Sequence, residues 1–84
     1  MIEELSDLIG LHVYTNKGIF LGAVDNVVIE TDQGKLYGFY VGDTNPLLVE
    51  GSQGIVVPFR WAKTIGDVVI LRYFPSGIAP KASP

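Results

Sequence analysis

The sequence contains no cysteine, and only one histidine, one tryptophan and one methionine. Without cysteine there are no disulfides, no thiolate metal ligands and no thiol nucleophile. With His12 alone, a metal centre would rest on carboxylates, and no cluster of His, Asp and Glu at ligand spacing accompanies it. His12 therefore reads as a structural or surface histidine. Charge is also sparse, at 18% of residues, with six basic against nine acidic side chains and a net charge of −3. Phosphate recognition rests on clustered Lys and Arg, so nucleic acid is not the expected partner. No apolar run approaches the ~18–20 residues of a spanning helix, and the first residues do not read as a signal peptide. A cytoplasmic protein without direct membrane insertion is expected.

Catalysis finds little to stand on. The hydroxyls of Ser6, Thr15, Thr31, Thr44, Ser52 and Thr64 have no histidine or lysine base in a recognisable motif. Asp25, Asp32, Asp43 and Asp67 fall at or near turns, where carboxylates cap backbone amides. Gly18-Ile-Phe-Leu-Gly22 is followed neither by a helix nor by Gly-Lys-Ser/Thr, so it is no phosphate loop. The expectation is a non-enzymatic protein with no cofactor and no metal.

What is present is apolar surface. Hydrophobic residues make up 48% of 84 residues, and a domain of this size buries only about 60% of the surface its unfolded chain exposes. Part of the apolar area is expected to lie outside the monomer's core and to be covered by association, most simply with a second copy.

Along the chain, Ile2, Leu5, Leu8 and Ile9 recur at helical spacing and predict a short turn or helix ended by Gly10. From His12 onward the texture is β: His12 to Thr15, Ile19 to Thr31 and, beyond an Asp32-Gln33-Gly34 turn, Leu36 to Val41. Gly42 to Gly54 reads as a surface loop. Ile55 to Pro58 is a strand, Phe59 to Ala62 a turn, and Lys63 to Ile65 with Val68 to Phe74 a last hairpin through Gly66-Asp67. Glycines at 22, 38 and 42, inside or at the edges of these runs, mark bulges and bends. The prediction is all-β: a small barrel of five to six short strands with a short N-terminal helical turn. Residues 1–75 would form the single domain, and residues 76–84, rich in Pro and Ala, a flexible tail.

Two strands carry no plainly polar face. Leu36 to Val41 divides into Leu36, Gly38, Tyr40 and Tyr37, Phe39, Val41, while the last strand divides into Val68, Ile70, Arg72, Phe74 and Val69, Leu71, Tyr73. Such strands need a cover on their second face. Tyr37, Phe39, Val41, Val69, Leu71, Tyr73 and Phe74 are taken as interface candidates. Val57-Pro-Phe-Arg-Trp61 adds Phe59, Arg60 and Trp61, residue types enriched at binding hot spots, although Phe59 and Trp61 could equally plug one end of the barrel.

Leu5-Ser-Asp-Leu-Ile-Gly10, Val13-Tyr-Thr, Lys17-Gly-Ile-Phe-Leu-Gly-Ala-Val24-Asp-Asn-Val27 and Leu36-Tyr-Gly-Phe-Tyr-Val41, in this order, resemble the PRC-barrel family. The stretch from Ile55 to Phe74 looks like its stand-alone archaeal branch, which includes CdpB-type cell-division proteins. That resemblance implies a cytoplasmic adaptor, recruited to the division site at the inner face of the membrane. It would bind the FtsZ membrane anchor SepF and form a homodimer or pair with a paralogous PRC-barrel protein. It supplies no catalytic residues. The alternative within the same resemblance is a ribosome- or RNA-maturation module akin to RimM, for which Lys17, Lys35, Arg60, Lys63 and Arg72 are few and scattered.

Overall fold

The computed structural model describes residues 4–75. The N-terminal turn forms as a 3-10 turn over Leu5–Leu8, begun by a Glu4 N–H that donates to Asp7 Oδ2 at 3.3 Å. It directs Leu8 into the core and leaves Leu5 and Ile9 outside. Seven strands follow: β1 (His12–Tyr14), β2 (Phe20–Ala23), β3 (Asn26–Glu30), β4 (Lys35–Val41), β5 (Ile55–Pro58), β6 (Ala62–Ile65) and β7 (Val69–Leu71). They make a four-stranded sheet in the order β2-β1-β7-β6 and a three-stranded sheet in the order β3-β4-β5. All pairings are antiparallel except β1 with β7.

The all-β expectation holds, with more strands than the five to six anticipated. The Ile19–Thr31 run is not one strand. Val24 finishes the β1–β2 ladder, exchanging backbone hydrogen bonds with Gly10 and Leu11, and the very next amide, Asp25 N–H, donates to Tyr40 O in the other sheet. The chain thus changes sheets between two adjacent residues, and the Asp25 carboxylate holds the corner by accepting the Gly42 N–H at 2.7 Å.

The two sheets enclose one core. Val13, Leu21, Val69 and Leu71 from the first face Phe39, Val41 and Val57 from the second, with Val24, Leu8 and Val49 completing the cluster. Each of the strand residues in that set is completely excluded from solvent. Four of the interface candidates are therefore corrected: Phe39, Val41, Val69 and Leu71 have no surface to offer a partner. Both alternating sets of these strands are apolar, so alternation alone could not say which set faces inward. Cross-strand register settles it, since Val27, Phe39 and Val57 stand directly opposite one another, as do Val13, Val69 and Ile65.

The segment from Gly42 to Gly54 is more than a surface loop. Thr44 is buried and its hydroxyl donates to Gln53 O at 2.6 Å. Asn45 seals the free edge of β2: its backbone N–H donates to Leu21 O and its side-chain amide to Phe20 O, while its Oδ1 accepts the Leu47 N–H. An open strand edge invites pairing with another chain, and this loop removes that option at β2. It also drops Leu48 and Val49 into the core. The expected tail, residues 76–84, lies outside the described residues.

Candidate interaction surface

The remaining candidates divide by position. Phe59 is half-buried, its ring 5.7 Å from that of Phe39, and it closes the core at the end of β5. Pro58 sets up this 3-10 turn, Phe59–Trp61, with its φ of −65° and no N–H to continue the β4–β5 ladder. Trp61 then lies edge-on to Tyr73 at 5.1 Å and to Phe74 at 6.1 Å. The two segments are locked by the Arg72 N–H donating to Trp61 O at 2.7 Å. Trp61 and Phe74 pack partly on the core, whereas Tyr73 is 52% exposed and Arg60 points to solvent. Arg60, Trp61, Tyr73 and Phe74 thus form one aromatic corner with a cation beside it. Edge-to-face ring pairs of this kind add about 0.5–1.5 kcal/mol each beyond burial and hold the rings in fixed positions.

Tyr37 sits elsewhere on β4. Between the Val28↔Gly38 and Ile29↔Leu36 pairs β4 carries an extra residue, and Tyr37 is that residue. The bulge falls just past the last β4–β5 pair, Gly38↔Pro58, so the β3–β4 hairpin continues as a two-stranded ribbon. Ile29, Leu36 and Tyr37 are all exposed on it, next to the charged pair Glu30 and Lys35.

Sequence reasoning missed the outer face of the four-stranded sheet. Tyr14 pairs with Phe20 on one side and Ile70 on the other, and Ile70 pairs with Thr64, so these four side chains form a row across all four strands. Phe20 is 42% and Ile70 38% exposed. The Phe20 ring packs between those of Tyr14 (5.6 Å) and His12 (5.1 Å). His12 is accordingly a surface histidine in an aromatic setting. The signal was present, since Ile70 belonged to the alternating set opposite Val69 and Leu71. Tyr40 and Val56, directly paired and both exposed, play the same part on the outside of the other sheet.

Among the described residues no helix is long and apolar enough to cross a membrane, and no three of His, Cys, Asp and Glu gather in a metal-holding group. The arrangement offers contact area: an aromatic corner, a ribbon with exposed Ile29, Leu36 and Tyr37, and two sheet faces carrying exposed rings. Contiguous surfaces of this kind mark sites of protein–protein contact.

A family model described as PRC-barrel domain matches residues 1–77. No curated protein matches the chain.

Proposed function

Because the chain belongs to the PRC-barrel family, and so has the character of a small protein-interaction module, we propose that it is a non-enzymatic adaptor of archaeal cell division. In this reading it binds SepF, associates with itself or a paralogous barrel, and is recruited from the cytoplasm to the division site. The observation that carries the binding role is the aromatic corner of Trp61, Tyr73 and Phe74, with Arg60 exposed beside it. Tryptophan, tyrosine and arginine are the residues that most often dominate binding energy, and here ring-to-ring contacts pre-order Trp61 and Tyr73. The archaeal and SepF assignments rest on the sequence resemblance between Ile55 and Phe74.

Calorimetry with the SepF protein encoded by the same genome tests the partner. Wild type should bind, and Tyr73→Ala together with Arg60→Ala should weaken binding at least tenfold while lowering stability by no more than the about 0.5–1.5 kcal/mol of the lost Trp61–Tyr73 ring contact. Trp61→Ala should weaken it more, and lower stability further, because Trp61 packs against the core. Failure of the wild-type protein to bind would remove the SepF assignment. Self-association is tested by light scattering at high micromolar concentration: a dimer or larger species is expected, and a stable monomer would end that part of the reading.

A further inference from the structure

The outer row of the four-stranded sheet does not end in a polar rim of mixed charge. At the β6–β7 end, Asn16, Lys63, Ile70, Leu71 and Arg72 line a hollow of about 380 Å³, with no acidic residue among them. Lys63 stands in the irregularity of β6 between Ala62 and Thr64. Arg72 is held rather than free: its Nε and Nη2 both donate to Ala62 O, at 3.3 and 3.1 Å, which fixes the guanidinium plane and leaves Nη1 without a partner among the described hydrogen bonds. A fixed guanidinium with donors to spare is suited to a carboxylate. The two cations share one hollow in a chain whose net charge is −3. A polyanion such as nucleic acid would meet repulsion beyond this hollow, whereas a short segment with one or two carboxylates would not.

We propose that this face docks an acidic, apolar-containing segment of a partner protein. Its apolar side chains lie on the Phe20–Tyr14–Ile70 row, and a carboxylate sits over the hollow between Lys63 and Arg72. The inference rests on the chain acting as a protein-interaction module and is independent of the SepF assignment. The hollow differs in composition from the Trp61 corner, which it adjoins through the Arg72 N–H donating to Trp61 O.

The test is a nuclear magnetic resonance titration of the whole protein with an eight-residue peptide of alternating Leu and Glu, blocked at both ends, beside the same peptide with Gln in place of Glu. Shift changes are expected at the amides of Tyr14, Lys63, Ile70 and Arg72, with the Glu peptide binding at least tenfold more tightly than the Gln peptide. Lys63→Glu should lose that preference. Lys35→Glu, the same charge change on the β3–β4 hairpin, should keep it. Absence of binding, equal binding of the two peptides, equal effects of the two substitutions, or tighter binding of a twelve-residue oligothymidylate would each overturn the proposal. The adaptor reading fails separately, on wild-type protein that does not bind SepF, and that result leaves the peptide measurement standing.

Discussion

Phe39→Ala should remove about 3–5 kcal/mol of stability, the range for deleting a buried phenylalanine from a core that cannot collapse around the void. Phe39 is the largest completely buried side chain among the described residues. It sits on the central strand of its sheet, directly between Val27 and Val57, with Phe59 tilted against its ring. A domain of 84 residues at about 0.05–0.15 kcal/mol per residue holds about 4–13 kcal/mol in all, so the substitution removes from about a quarter of that stability to all of it. In urea, with a slope near 1 kcal/mol/M, the midpoint should fall by about 3 M or more. Tyr40→Ala, one residue along and on the opposite face, should cost far less. Were Phe39 an interface residue instead, Phe39→Ala would leave the monomer's unfolding midpoint almost unchanged and alter only its association.

That comparison locates what could and could not be read from the residues. Most strand positions, the Asp32-Gln33-Gly34 hairpin, the proline stop at Pro58 and the β6–β7 hairpin follow from local signals: β-branched runs, turn residues and a missing amide; the division of Ile19–Thr31 into β2 and β3 does not. The facing of β4 and β7 does not. With valine, leucine, isoleucine and aromatics in both alternating sets, a one-residue choice exchanges core and surface, and only pairing with strands distant in sequence decides it. The interface candidates were accordingly mixed: Tyr37, Arg60 and Tyr73 are exposed, while Phe39, Val41, Val69 and Leu71 fill the core.

The long loop was opaque for a related reason. Its buried pair, Leu48-Val49, is too short to show any period, and Asn45 reveals its role only through contacts with β2, more than twenty residues away in sequence. The cationic hollow has the same character. Lys63 and Arg72 are nine residues apart, and it takes the β6–β7 pairing and the shared Ala62 carbonyl to make them neighbours. Scattered charges in a sequence become a patch only when the register is known.

In the sequence Gly38 marks a bend or bulge, and the structure gives it a sharper reason. It is buried and stands opposite Pro58 on β5, and a methyl group built on it would run into the Val57 carbonyl oxygen and come within 2.9 Å of the Pro58 Cα. Both obstacles are backbone, so no rotamer change relieves them. Gly38→Ala should therefore push β5 away from β4, break the ladder that carries Val57 into the core, and lose about 1–3 kcal/mol or more. The expected readout is a lowered urea midpoint with faster amide exchange at Tyr40 and Val57. Gly66→Ala supplies the control, because a methyl there meets nothing within 4 Å and the backbone is not left-handed; its midpoint should stay within about 0.5 kcal/mol of wild type. Equal midpoints for the two variants would mean that β4 and β5 are not held in the Gly38↔Pro58 register. The placement of Phe39, Val41 and Val57 on the inner face would then fall with it, since that register is what puts them there.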